Sequence, residues 1–286
     1  MASFNLKGKT ILITGASGGI GKAVADAFYT RGANLVLTDL YQDALNSMSS
    51  SMKNERVLPI VMDVKNMPET KTVVDKAISK FGKLDMAFAN AGISASTSSN
   101  PATLLTISED DFAKVINVDL FGVWYTIKAC LPHIIESKGH ILITSSIYAF
   151  CNGMVNAPYA VSKAAVEMLG RTLRAELAGT GATAGVLFPG WVATPIAEVA
   201  FGGNDMVTAL LKHGFPRPLR KPVKPEVIAK AVVAGVESRR ARIISPKRWA
   251  PISMFRGIFN MATDRIADSD KYIHKMIRLI ENDKQH

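Results

Sequence analysis

The chain has 286 residues, 48% of them hydrophobic, which is enough for a substantial core in one large domain or two small ones. Its net charge of +10 lies wholly in the last quarter: residues 1–211 hold 17 basic and 17 acidic side chains, whereas residues 212–286 hold 17 and 7. No apolar run approaches the roughly 20 residues of a membrane-crossing helix, Cys130 and Cys151 are too few for a disulfide framework and are expected to be reduced, no metal site is expected, and scattered basic residues without interleaved aromatics argue against nucleic acid.

In chain order, the polar start Met1-Ala2-Ser3-Phe4-Asn5 does not read as a secretory signal, so the chain is expected in the cytoplasm. A first strand over 10–14 runs into Thr14-Gly15-Ala16-Ser17-Gly18-Gly19-Ile20-Gly21 and a helix over 19–31. Glycines there permit a tight turn and close backbone approach, and the helix N-terminus offers N–H groups to a pyrophosphate. A second strand, 34–38, is closed by Asp39, 18 residues beyond Gly21, where a carboxylate can accept from an adenosine ribose. Further strands are predicted at 57–62, 84–89, 140–145, 184–188 and 241–245, and further helices near 41–53, 68–81, 108–137, 157–178 and 224–239.

The strands read as near-continuous apolar runs, as a sheet covered on both faces requires. Seven parallel strands with helices on both faces make one doubly wound, Rossmann-like α/β domain over 1–245. Residues 190–223, broken by glycines and prolines, are expected to form a substrate lid, and 246–286 a basic helical extension.

Chemistry concentrates in the second half. On the helix over 157–178, Tyr159 and Lys163 stand one turn apart on the same face. A free phenol, with a pKa of about 10, is ionised in only about one molecule in a thousand at neutral pH. A neighbouring ammonium favours phenolate and so makes a usable base for an alcohol proton. A competing reading takes Gly15-Ala16-Ser17-Gly18-Gly19 as the Gly-x-Ser-x-Gly elbow of a serine hydrolase. It lacks an earlier loop to supply an oxyanion N–H, and no histidine follows an acid in a triad-like position. A nucleotide-binding scaffold without catalysis is the other alternative.

The glycine loop, Asn90-Ala91-Gly92, Ser145-Ser146, Tyr159 with Lys163, and Pro189-Gly190 followed by Thr194 together closely resemble the short-chain dehydrogenase/reductase family over about 245 residues. The resemblance implies Tyr159 as acid/base, Lys163 as its tuner and ribose contact, Ser146 as the group polarising the substrate oxygen, and Asn117 as the holder of a relay water. Ser145 is expected to face elsewhere. Gly15, Ser17, Ile20 and Gly21 are implied around the pyrophosphate, Asp63 at the adenine, Asn90 near the ribose and Thr194 near the nicotinamide carboxamide, with Gly92 and Pro189 as further cofactor contacts. Asp63 could equally cap a strand end, and Asn90-Ala91-Gly92 could equally be a supporting turn. Because Asp39 would repel a 2′-phosphate and neither Gly18 nor Leu40 supplies a cation, NAD is the expected cofactor.

Phe150, Met154, Val155, Trp191, Ile196, Val199, Phe201 and Met206 suggest a pocket for a bulky apolar secondary alcohol or ketone such as a steroid, retinoid or lipid-like compound. The family implies a homo-oligomer, dimer or tetramer. In the extension, Trp249, Ile252, Phe255, Ile258, Phe259, Ala262 and Ile266 recur at helical spacing. That stripe is expected either to pack on the protein or a neighbouring subunit, or to lie peripherally in a membrane interface beside anionic lipids.

Overall fold

The computed structural model describes residues 3–50, 52–94, 101–194 and 204–283. Seven strands form one parallel sheet: β1 (Thr10–Thr14), β2 (Asn34–Asp39), β3 (Val57–Val61), β4 (Met86–Ala89), β5 (His140–Thr144), β6 (Thr183–Pro189) and β7 (Arg242–Ser245). Their order is β3-β2-β1-β4-β5-β6-β7, with every pairing parallel. The Rossmann-like fold expected from the apolar runs is therefore the fold observed. β1, β5 and β6 are buried along their whole length, and alternate residues feed two cores. Ile11, Ile13, Leu35 and Leu37 pack on one face; Leu12, Val36, Ile141 and Ile143 pack on the other. A period-two strand buried on both faces produces this division.

Helices α1 (Gly19–Thr30), α2 (Gln42–Ser49), α3 (Met67–Phe81), α4 (Glu109–Ile116), α5 (Val123–Glu136), α6 (Ala157–Glu176), α7 (Asp205–Gly214) and α8 (Pro225–Glu237) surround the sheet. Ser108 starts α4 as read from the sequence, its side chain accepting from Asp111 N. The single helix predicted over 108–137 is instead α4 and α5 joined by a π-helical stretch, Asn117–Gly122. Between β1 and β4 the strand order reverses, and the crevice outside their carboxyl ends is where an open α/β sheet binds ligands.

Two departures concern the chain's later parts. After β6, Trp191 and Ala193 are tied back to Val223, with Val223 N donating to Trp191 O at 2.9 Å and Ala193 N to Val223 O at 2.9 Å. The excursion between them carries α7 and a short helix, Arg217–Arg220; Ile196, Val199 and Phe201 lie outside the described residues. The extension is not one amphipathic helix but a short one, Ala250–Met254, followed by α9 (Arg256–Ser269) and α10 (Lys271–Asp283). Trp249 and, from α10, Ile273, Met276 and Ile280 are buried in a third core with Trp191, Val207 and Leu210. α9 buries no residue, and Ile258, Met261 and Ile266 stand 59–69% exposed on it.

Candidate active site

A cleft of about 530 Å³ runs along the carboxyl ends of the strands, from Asp39, Asp63 and Lys65 at one end to Ser146, Tyr148 and Tyr159 at the other. At its first end the glycine loop turns from β1 into α1. Gly15 has a left-handed φ of +62°, and a Cβ there would lie 2.9 Å from Ala91 Cα. A Cβ on Gly21 would fall 2.1 Å from Gly15 O. Only glycines let these backbones approach so closely. No side chain caps α1 at Gly18, which leaves the first N–H groups of that helix for an anion. This cradle, with a carboxylate at the end of β2, fits a dinucleotide's pyrophosphate and adenosine ribose.

The remaining residues implied as cofactor contacts also border the cleft: Gly15, Ser17, Ile20, Gly21, Asp39, Asp63, Asn90, Gly92, Pro189 and Thr194. Several already have structural employment. Asp39 Oδ2 accepts from Ser17 N at 3.0 Å and from Ser17 Oγ at 2.7 Å, tying β2 to the loop. Asn90 Nδ2 donates to Thr14 O and Gly15 O, while its Oδ1 accepts from Thr144 Oγ1 at 3.1 Å, so its amide joins β1, β4 and β5. Asp63 Oδ1 accepts from Lys65 N at 2.9 Å, a loop-forming bond.

At the other end, α6 presents Tyr159 and Lys163, four residues apart, to the cleft. Lys163 Nζ lies 5.2 Å from the Tyr159 ring centre and 3.4 Å from Thr144 O. Ser146 follows β5; its Oγ accepts from Tyr148 N at 3.2 Å, and its hydroxyl works to lower the pKa of the Tyr159 phenol. Ser145 is differently engaged, since its Oγ donates to Lys163 O at 2.7 Å. Burial pushes the Tyr159 phenol above its ordinary value; Lys163 and the Ser146 hydroxyl oppose this, and the Asp119 carboxylate adds to it. Burial also works against the Lys163 ammonium, but Asp119 and Tyr159 hold it above its ordinary value.

Asn117, read as the holder of a relay water, is exposed and does not border the cleft. Residues two apart on a helix point about 200° apart, so when Asp119 turns inward Asn117 turns out. Asp119 is fully buried, with Oδ2 2.9 Å from Lys163 Nζ. It was missed because a helical reading of 108–137 gives no sign of the π turn that sets which residue faces in. A single acid between apolar Val118 and Leu120 was the available signal. Of the apolar pocket residues inferred from sequence, Trp191 borders the cleft, while Phe150, Met154, Val155 and Met206 pack into the third core instead. Ile93, Ser94, Val118, Tyr148, Asn156 and Val192 also line the wall. No histidine borders the cleft among the described residues and Ser17 is bonded to Asp39, so the hydrolase reading has no base.

Residues 9–204 match the model of the short chain dehydrogenase family. The chain belongs to that family. This short-chain dehydrogenase is 33% identical over 231 residues to a 3-oxoacyl-[acyl-carrier-protein] reductase, FabG, of Thermotoga maritima, covering 80% of this chain and 90% of that one. It is 29% identical to the 11-beta-hydroxysteroid dehydrogenase-like 2 protein of Arabidopsis thaliana, over 92% of this chain and 82% of the relative. Among solved structures, a short-chain dehydrogenase/reductase from Burkholderia phymatum in complex with NAD superposes with a TM-score of 0.76 at 24% identity, over 91% of this chain and 96% of that one. An alcohol dehydrogenase from the archaeon Thermococcus sibiricus, complexed with 5-hydroxy-NADP, superposes with a TM-score of 0.69 at 28% identity, over 82% and 95%. The protein is thus an oxidoreductase of a nicotinamide dinucleotide-binding Rossmann fold.

Proposed function

We propose that the protein interconverts an apolar secondary alcohol and its ketone with NAD as hydride carrier. The observation that carries this reading is the convergence of Ser146, Tyr159 and Lys163 at one end of a cleft whose other end is a dinucleotide cradle. When bound, the nicotinamide supplies the hydride acceptor and, in its oxidised form, a positive charge beside the phenol. Ser146 Oγ, anchored by Tyr148 N, holds the substrate oxygen within reach of the Tyr159 hydroxyl. Tyr159 takes the alcohol proton in oxidation and returns it in reduction. Lys163 stabilises the phenolate and would contact the nicotinamide ribose of a bound cofactor. Replacing Tyr159 by Phe keeps the ring and removes the proton carrier, so turnover of NAD with a panel of cyclic and long-chain secondary alcohols should fall at least about 100-fold while NADH binding, read by fluorescence, persists. Near-normal turnover by that variant would sink the mechanism.

NAD rather than NADP is supported by Asp39, which faces the adenosine end of the cleft, and by the engagement of Lys65 there with Asp63 Oδ2 at 3.4 Å. Among the described residues, a 2′-phosphate would meet a carboxylate and no unpaired cation on that part of the wall. Asp39→Ala should therefore narrow the preference for NAD measured with both cofactors at equal concentration; a wild-type preference for NADP would overturn it. An apolar substrate is supported by Ile93, Val118, Trp191 and Val192 on the wall.

Self-association is supported by the outer faces of α5 and α6 and the π turn before them, where Phe121, Trp124, Val161 and Met168 are exposed. Trp124→Glu should shift the sedimentation coefficient to that of a smaller species, and an unchanged value would dismiss this face. No helix among the described residues is long and apolar enough to cross a membrane. A peripheral contact is supported by the outward apolar row of α9 within the basic last quarter of the chain.

A further inference from the structure

Asp119 is an unusual acid: it is fully buried beside the groups that carry the chemistry, and it opens no route to solvent. Its two oxygens are differently engaged. Oδ1 accepts from Ile93 N at 2.7 Å, and Oδ2 lies 2.9 Å from Lys163 Nζ. A Cβ on Gly92 would sit 3.0 Å from Lys163 Nζ and 3.2 Å from Asp119 Oδ2, so a glycine at 92 keeps open the gap across which the two meet. Lys163 is consequently shared, with the carboxylate on one side and the Tyr159 ring, 5.2 Å away, on the other.

We propose that Asp119 is a positioning residue that holds Lys163 against Tyr159 and sets the charge of this buried cluster, and thereby the pH at which the site gives up its catalytic proton. The proposal rests on the reading of Tyr159 as acid/base. With the phenol protonated, the ammonium and the carboxylate cancel, so the cluster is neutral. Losing the phenol proton leaves one net negative charge in a buried place, which is costly. With an uncharged amide at 119 the cluster would start at one positive charge, and loss of the same proton would bring it to zero. The phenolate, stabilised by Lys163 and Ser146, would then form at lower pH.

Few other groups can blur this. Besides Lys163 and Asp119, the titratable side chains around the phenol among the described residues are Tyr148, after β5, and Cys151 beyond it, both held protonated by burial. Lys114 of α4 lies at the rim of the cleft, and Asp39, Asp63 and Lys65 line its far end.

The test is a pH titration of tyrosinate ultraviolet absorbance in the full-length protein with NAD bound, with Tyr159→Phe identifying the Tyr159 transition by its loss. Asp119→Asn should move that transition to lower pH by about one unit, and Asp119→Glu, which keeps the charge, should leave it near the wild-type position. An unmoved or raised transition in Asp119→Asn, or a lowered one in Asp119→Glu, overturns the proposal. Thermal melting establishes that each variant is folded. If Asp119→Asn does not fold, the infrared spectrum of the wild-type protein decides: no carbonyl band of a buried protonated carboxyl is expected at neutral pH, and its presence overturns the charged cluster. Because the readout is ionisation and not turnover, it separates from the test of the proposed reaction, where failure would appear as an active Tyr159→Phe enzyme.

Discussion

Two adjacent serines at the end of β5 illustrate how much a single residue's direction decides. Ser145 and Ser146 both border the cleft, yet Ser145 spends its hydroxyl on the Lys163 carbonyl, while the Ser146 hydroxyl acts on the Tyr159 phenol and works to lower its pKa. Alternation along the extended chain leaving β5 puts the two side chains on opposite sides. Ser146→Ala should therefore reduce kcat/KM by roughly 10- to 1,000-fold, the loss typical for one oriented donor at a reacting oxygen. Ser145→Ala should act through α6, lowering the melting temperature more than the turnover of folded enzyme. Kinetics and melting of both variants check this, and the reverse pattern would assign the polarising role to Ser145. The family resemblance singled out Ser146 before any coordinates, whereas the inward turn of Asp119 was not legible, because it depends on a local widening of the helix.

At the scale of elements, the C-terminal extension divides into a part that packs and a part that does not. α10 carries Ile273, Met276 and Ile280 into the third core, where Trp249 is wholly buried. Among the described residues, the ion pair that ties α9 to the body is Arg256 with Glu167 Oε2 at 2.7 Å, and Glu167 is buried on α6, one turn beyond Lys163. A chain ending at Ser245 loses four buried apolar side chains, each worth about 1.5–3 kcal/mol, and strands Glu167 with only Arg242, 3.8 Å away. Its melting temperature should fall by ten degrees or more, on the order expected for several kcal/mol in a domain of this size, and its affinity for bulky substrates should weaken because the core behind Trp191 is gone. Flotation with vesicles of anionic phospholipid separates the other role. Full-length protein floating at low salt and released at high salt supports contact through α9; protein that never floats leaves this helix without a membrane role. The spacing of apolar residues predicted helix here and left packing and membrane contact open, because whether a stripe faces inward or outward depends on what lies opposite it: Trp249 is buried, whereas Ile258 and Ile266 on α9 are exposed.

For the whole molecule, pH sensitivity follows from a group far from the cleft. His140 begins β5, is completely buried, and bonds Thr183 Oγ1 through Nδ1 at 2.8 Å. Burial, with Arg239 and Arg174 nearby, lowers its pKa from 6.5 to about 3. Since the unfolded chain takes up a proton below 6.5 and the folded chain does not, stability contributed by neutral His140 is complete above pH 6.5 and is lost as pH falls from there toward 3. That shift corresponds to up to about 5 kcal/mol at the acid end. Denaturant unfolding should show a steep loss between pH 6 and about 4. His140→Gln should be flatter over that range, and an equally steep decline in the variant would place the sensitivity elsewhere.

The sequence by itself determined the seven strands, their parallel arrangement, the glycine cradle and the tyrosine and lysine pair, because these are written in period, in glycine placement and in the four-residue spacing of one helix. Tertiary structure alone decided which member of Asn117-Val118-Asp119 faces the chemistry, which apolar residues line the cleft and which merely fill the core behind it, and which part of the extension is buried. Those outcomes depend on the partner across a gap: Lys163 opposite Asp119, Gly92 leaving room between them, and the third core opposite α10. Linear spacing records what a residue can do, but burial of a charge or an apolar side chain is a property of two surfaces at once.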